Sequence, residues 1–371
     1  MMAPTAETGA MERALELAER GRGSTFPNPM VGAVVLSPDG EILGEGYHSR
    51  CGAPHAEVEA LGDAGERARG ATVVVNLEPC CHTGRTGPCT LELARAGVAR
   101  VVVAMEDPNP EVAGEGVRWL RQQGIEVEVG PMRRRAQELN RAYVHYMRTG
   151  RSLVVLKMAV TLDGRVAASD GSSRWITCSE SRREAHRMRS RADCVMVGAG
   201  TVCSDDPRLT VRLEGFDPAE GPLRLAVAGP GGVPLKARML RHGPPAAVAL
   251  PADAPPEVVA GLEETAAGVW RLPSEDGMVV LEALLERTAT EGMGEVLCEG
   301  GPTLATALLR RGLAARGAFF VAPALLGGSG RPALDDLGVG TMEEALRMRN
   351  VRVRTLGGDA LLEGEIVYRF D

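Results

Sequence analysis

Short valine-rich apolar runs alternate with amphipathic segments along most of the chain, and one break, at Thr149-Gly150, divides the alternation in two. Such alternation is the signature of strands joined by crossover helices around a sheet, and few other architectures satisfy it. At 371 residues the chain also exceeds what one compact core usually holds. We therefore expect two α/β domains, 1–150 and 151–371, with the glycine taking the left-handed conformation that closes a helix.

In the first half the spacing predicts a helix over 10–21 and a hairpin of strands 31–36 and 41–47 around Ser-Pro-Asp-Gly. Helices 55–63, 89–96 and 115–123 then alternate with strands 71–77, 98–104 and 125–129, before a single helix over 132–147. In the second half, strands are expected at 153–158, 194–197, 224–228, 246–250 and 294–298. Helices are expected at 179–190, 278–288 and 303–311, a Pro- and Ala-rich loop at 251–260, and a closing hairpin of 351–355 with 361–368.

A formal charge of −7 argues against a general nucleic-acid binder, which needs a basic face. No apolar run reaches the ~18 residues of a membrane span, and the first residues lack the basic-then-apolar order of a signal peptide. The expected location is the cytoplasm, with neither nucleic acid nor membrane as partner. Forty arginines stand against two lysines, Lys157 and Lys236, so arginine is uninformative and each lysine is worth noting.

The densest chemistry is Pro-His-Ala-Glu at 54–57 followed by Glu-Pro-Cys-Cys-His-Thr-Gly-Arg-Thr-Gly-Pro-Cys at 78–89. A tetrahedral zinc that keeps one open position takes three protein ligands, and a histidine with two cysteines supplies them. His55, Cys80 and Cys89 are the candidates. His55 and Cys89 each follow a proline at a predicted helix start, where free amides and the dipole favour a thiolate, while Cys80 is placed at a strand end. Glu57 is placed to exchange protons with a zinc-activated water whose pKa falls from 15.7 to roughly 7. His-x-Glu followed by Pro-Cys-x-x-Cys marks zinc deaminases; here the second cysteine comes nine residues after the first, which requires an inserted loop. Cys81 and His82 are rival ligands, with His82 better suited to face substrate, and Cys51 reads as a bystander thiol.

Two glycine-rich turns, Val-Gly-Ala-Gly-Thr at 197–201 and Glu-Gly-Gly-Pro-Thr at 299–303, could expose amides to phosphate. The first is no dinucleotide fingerprint, because Cys203 stands where its last glycine would be. The second directly precedes a helix, with Glu299 aimed into the same cleft. Arg189 and Arg212 lie nearby in sequence pattern, and Lys157 sits within an apolar strand.

Read together, 25–34 (Thr-Phe-Pro-Asn-Pro-Met-Val-Gly-Ala-Val), the two cysteine-histidine segments, 157–165 (Lys-Met-Ala-Val-Thr-Leu-Asp-Gly-Arg), Ser173-Arg-Trp-Ile-Thr and Asp205-Asp-Pro-Arg-Leu-Thr-Val-Arg resemble the bifunctional riboflavin-biosynthesis deaminase/reductase family. The resemblance covers nearly the whole chain and includes the nine-residue cysteine gap. It implies a cytidine-deaminase-like α/β/α domain and a dihydrofolate-reductase-like α/β domain. It implies deamination of 2,5-diamino-6-ribosylamino-4(3H)-pyrimidinone 5′-phosphate and then NADPH-dependent reduction of the ribosyl chain to ribityl. By the same resemblance His55, Cys80 and Cys89 hold one zinc and Glu57 shuttles protons, while Asn28, His48, His82 and Arg85 hold the first substrate. Ala159, Trp175, Thr201, Asp205 and the run Gly301, Pro302, Thr303, Leu304, Ala305, Thr306 and Ala307 fall at NADPH positions. Lys157, Ser173, Arg189, Leu209, Arg212 and Glu299 fall at positions for the second substrate, which gives both arginines a phosphate-binding reading. A homo-oligomer, dimer or tetramer, is expected. The competing reading is a zinc nucleobase deaminase fused to a non-catalytic nucleotide-sensing domain.

Overall fold

The computed structural model describes residues 6–82, 87–110, 112–217, 219–241, 243–265 and 267–368. Its contacts divide the chain into two compact units, Met1–Gly150 and Arg151–Asp371. No helix among the described residues is long and apolar enough to cross a membrane.

The first unit contains α1 (Ala6–Glu19), β1 (Gly32–Leu36), β2 (Ile42–Tyr47), α2 (Ala56–Ala64), β3 (Thr72–Val75), α3 (Cys89–Ala96), β4 (Arg100–Val103), α4 (Glu115–Gln122), β5 (Glu126–Val129), α5 (Arg133–Leu139) and α6 (Arg141–Thr149). The strands form one sheet in the order β2-β1-β3-β4-β5, with β1 antiparallel to both neighbours and the last three parallel. Side chains alternate between the faces of a strand, so a run buried on both sides must be apolar throughout. Val73, Val75, Val101 and Val103 accordingly pack under α2, α3 and α4, whereas Val74 and Val102 pack with Met11, Leu15 and Tyr143 on the other face. The result is three layers.

The helix expected over 132–147 is instead two. Between them, Asn140 turns its amide onto another segment: Oδ1 accepts from Met30 N (2.8 Å) and Nδ2 donates to Met30 O (2.9 Å). Asn76 completes the clamp, donating to Met30 O (3.0 Å) and accepting from Gly32 N (2.8 Å). Both asparagines are buried, so these bonds satisfy amides that would otherwise be costly.

The second unit contains β6 (Leu153–Thr161), β7 (Arg165–Ala167), α7 (Ser179–Arg191), β8 (Cys194–Gly198), α8 (Ala199–Asp205), β9 (Leu223–Val227), β10 (Ala246–Pro251), α9 (Pro256–Glu263), β11 (Gly268–Leu272), β12 (Ser274–Glu275), β13 (Met278–Val279), α10 (Leu281–Thr290), β14 (Glu295–Cys298), α11 (Pro302–Arg310), β15 (Ala314–Ala322), β16 (Arg331–Pro332), β17 (Arg347–Leu356) and β18 (Asp359–Val367). Nine strands form its main sheet in the order β11-β10-β9-β8-β14-β6-β15-β18-β17. All pairs are parallel up to β15, and the β17–β18 hairpin closes the edge antiparallel.

Three expectations fail here for local reasons. The loop at 251–260 contains the start of α9, because Pro256 stands at the first helical position where proline costs nothing. The helix expected from 278 begins only at Leu281, after Met278 and Val279 pair with β12. Strand β15, absent from the expected set, begins at Ala314-Ala-Arg-Gly, which carries no β-branched signal and becomes a strand through pairing with β6.

Candidate active sites

In the first unit, two glycines on β2 let α2 approach the sheet closely. A Cβ on Gly46 would lie 2.4 Å from Ala56 O, and one on Gly44 2.5 Å from Ala60 O. That approach seats the α2 N-terminus, with His55 as its cap residue and Glu57 in its first turn, over the sheet edge. Cys89 is the first residue of α3. Cys80 lies five residues beyond the end of β3 rather than at a strand end, and its segment is held by Glu78, whose buried carboxylate accepts from Asp107 N (3.0 Å), Gly114 N (2.9 Å) and Val117 N (3.0 Å).

The three donors converge: His55 Nδ1 is 3.1 Å from Cys89 Sγ and 3.5 Å from Cys80 Sγ, and all three atoms lie within 4.8 Å of one another. A tetrahedral zinc with Zn–S ~2.3 Å and Zn–N ~2.0 Å has N···S edges of roughly 3.6 Å, so the donors present fit that ion. Among the described residues no other group of three such side chains is drawn together. The helix-start amide at Cys89 serves the other sulfur, donating to Cys80 Sγ at 3.3 Å. The hydrogen bond between the two thiols lowers Cys80 below its ordinary value and pushes Cys89 up. Burial, and then the Cys80 sulfur, push the Glu57 carboxyl up to about 7.

His55, Glu57 and Cys80 line a cavity of about 440 Å³ with Asn28, His48, His82, Asp107 and Asn109. His48 is pushed down by burial, and its neutral ring lies between Pro54 O (3.0 Å to Nδ1) and Asn28 Nδ2 (3.1 Å to Nε2). With Nδ1–H donated to the carbonyl, Nε2 accepts from Asn28, which fixes the amide's orientation. Arg85 lies outside the described residues. Cys51, read as a bystander, also lines this cavity, as does Asp107, whose Oδ1 accepts from Tyr143 Oη at 2.8 Å. Cys81 is half-buried and does not join the donor cluster.

In the second unit, β14 stops at Cys298, opposite Leu156 of the longer β6. Glu299 and Lys157 are next in register, and Lys157 Nζ donates to Glu299 Oε2 at 3.4 Å. Arg189, from α7, grips the same carboxylate with Nε on Oε1 and Nη2 on Oε2 (3.0 Å). Burial alone would raise Glu299; Arg189 and Lys157 overcome it and hold the carboxyl at about 2.

These residues line an open cleft of about 780 Å³ at the carboxyl ends of the parallel strands, where α/β sheets bind ligands. Ala159, Ser173, Trp175, Thr201, Asp205, Leu209, Arg212, Gly301 and Pro302 line it too. The rest of the 301–307 run does not: Leu304 and Ala305 pack in the core, Thr306 Oγ1 accepts from Asp335 N (2.8 Å), Thr303 is exposed and Ala307 half-buried. A helix turns its side chains to all sides, so the run meets the cleft through its first turn. Gly301 N donates to Thr201 Oγ1 (3.1 Å), and a Cβ on Gly301 would lie 3.3 Å from that oxygen. This glycine cradle, in a cleft of the size that holds cofactors, fits a dinucleotide. Arg208, inside the 205–212 motif but given no role there, and Arg238, which no sequence signal marked, also line the cleft.

Comparison with known proteins bears on both units. Residues 4–105 match the cytidine and deoxycytidylate deaminase zinc-binding region, and residues 152–362 match the RibD C-terminal domain. Riboflavin biosynthesis protein RibD of Aquifex aeolicus is 42% identical over 357 residues, covering 95% of this chain and 96% of that protein. The Escherichia coli protein of the same name is 40% identical over 369 residues, covering 95% and 97%. Among solved structures, Acinetobacter baumannii RibD superposes with a TM-score of 0.82 at 39% identity over 98% of this chain and 99% of that one. A Thermotoga maritima diaminohydroxyphosphoribosylaminopyrimidine deaminase/5-amino-6-(5-phosphoribosylamino)uracil reductase gives 0.80 at 33% identity, with the same coverage.

Proposed function

The chain belongs to the RibD family, the bifunctional deaminase/reductases of riboflavin biosynthesis, and from that membership we propose how its residues divide the work. The deaminase domain is cytidine-deaminase-like and zinc-binding, and the reductase domain is dihydrofolate-reductase-like. We assign the first substrate as 2,5-diamino-6-ribosylamino-4(3H)-pyrimidinone 5′-phosphate, and the second step as reduction of its deaminated product to 5-amino-6-ribitylamino-uracil 5′-phosphate.

His55, Cys80 and Cys89 would hold one zinc per chain. Zinc, when bound, supplies the Lewis acidity that activates water for attack on the ring carbon. Glu57 takes the proton from that water and returns it to the departing amine, a task suited to a carboxyl brought by burial near neutrality. Asn28, held by His48, orients the pyrimidine, and His82 and Arg85 bind its outer portion. The observation that carries this reading is the convergence of one ring nitrogen and two sulfurs beside a buried glutamate in a substrate-sized cavity.

In the reductase, Ala159, Trp175, Thr201, Asp205 and the 301–303 turn would hold NADPH, with 304–307 supporting that turn from behind. The cofactor supplies the hydride. Lys157 and Glu299 orient the opened ribosyl chain, Ser173 and Leu209 flank it, and Arg212 binds its phosphate. Arg189 is already committed to Glu299, so its part is to hold that carboxylate in place. We further infer a cytoplasmic location and a homo-oligomer, dimer or tetramer; the outer edge of β17, where Val351 and Val353 are exposed, supports the assembly, which sedimentation tests.

The test of function is to incubate zinc-quantified protein with the diaminopyrimidine ribosyl phosphate, with and without NADPH. Ammonia release without NADPH, and nicotinamide oxidation only after deamination, are expected. Ammonia without oxidation would leave a deaminase alone; the absence of both signals in zinc-loaded protein overturns the assignment.

A further inference from the structure

One titratable side chain beside the reductase cleft has no part in the account above. His186 stands on α7 one turn before Arg189, on the same helix face. Its ring is spent on a single residue: Nδ1 lies 3.2 Å from Arg212 N, and Nε2 lies 3.2 Å from Arg212 Nε. A neutral imidazole has one acceptor nitrogen, so in either tautomer the bond it accepts comes from Arg212. A protonated ring would accept nothing.

The surroundings keep the ring neutral. Burial, then Arg189 and Arg212, push His186 down to about 4, with Lys157 adding to that push and Glu299 opposing it. The choice of imidazole matters, because a carboxylate in this place would cancel the guanidinium that it held. Arg212 instead keeps its charge, and with Arg208 and Arg238 it forms a cationic wall of the cleft. Among the described residues none of these three is in an ion pair.

We propose that His186 is a positioning residue, which holds Arg212 through the one hydrogen bond its neutral ring accepts, so that the arginine meets a phosphate monoester in the reductase cleft. The proposal rests on the phosphate-binding reading of Arg212 given above. It deepens that reading by naming the group that holds the arginine without neutralising it.

The test uses full-length, zinc-loaded protein carrying His186→Ala, His186→Gln, Arg212→Ala or His186→Ala with Arg212→Ala. The readouts are reductase KM and kcat for the deaminated substrate, NADPH Kd by nicotinamide fluorescence, and inhibition by ribose 5-phosphate against ribose. His186→Ala raises KM and weakens ribose 5-phosphate about tenfold, with kcat, NADPH Kd and ammonia release unchanged. His186→Gln recovers most of the loss, since its amide oxygen accepts the same hydrogen bond. In the Arg212→Ala background, His186→Ala adds nothing. An equal further loss in that background, no rescue by glutamine, or a drop in NADPH affinity each overturns the positioning role. Should Arg212→Ala itself leave KM and ribose 5-phosphate inhibition unchanged, the phosphate reading falls first and takes this proposal with it.

Discussion

The deaminase centre and the reductase cleft solve opposite problems. The first gathers three soft donors and one carboxyl within a few ångströms, from two helix starts and the segment after β3. The second spreads charge over an open cleft lined from β6, α7, α8, the 206–212 segment and the β14–α11 turn. A metal site is a point, and its residues must be where they are to within tenths of an ångström. An anion site is a field, and tolerates a looser arrangement provided that the charges are left uncancelled.

Breaking the point should therefore cost most. Cys80→Ser should remove zinc and bring deamination to background while NADPH-dependent reduction of supplied intermediate persists; metal analysis with ammonia release checks this, and loss of both activities would contradict separate sites. Glu57→Gln should keep zinc and slow deamination by about 10²–10⁴-fold, the range of a lost proton carrier. Retained deamination in zinc-loaded protein would remove Glu57 from the mechanism.

Glu299→Ala strips the carboxylate from Arg189 and Lys157, and should abolish reduction and destabilise the reductase domain by about 3–5 kcal/mol, the usual cost of leaving buried charge unpaired. Thermal unfolding of the full chain measures it. The ion pair also has a pH signature. Glu299 is held at about 2, below its ordinary 4.5, so its contribution is complete above pH 4.5 and fades as pH falls toward 2. The stability gap between wild type and Glu299→Gln should accordingly close over that window, and a constant gap would show that charge is not what stabilises the site. Smallest of these effects, Gly46→Ala should cost about 1–3 kcal/mol and lower zinc affinity by displacing α2, with reduction untouched.

Legibility in sequence follows the same contrast. His55, Cys80 and Cys89 could be read because prolines mark the helix starts that carry two of them, and spacing did the rest. Arg238 could not, since in a chain with forty arginines one outside any motif does not stand out. What brings it to the cleft is the fold around it, a property of three dimensions. The same holds for the fold. Valine-rich β3 and β4 declare themselves, whereas β15 opens on alanines and takes its form from β6 beside it. Asn140 reads as one more residue in a helical run until its amide is seen on Met30.

That clamp reaches across 110 positions of sequence. His55, Cys80, Cys89 and Glu57 all lie before residue 90, but the segment that carries Asn28 is anchored also from residue 140. During synthesis the nascent chain would acquire its zinc donors well before it could fasten the substrate wall. A chain ending between α4 and α6 would thus keep His55, Cys80 and Cys89 and the Asn76 half of the clamp, but lack Asn140's hold on the segment that carries Asn28.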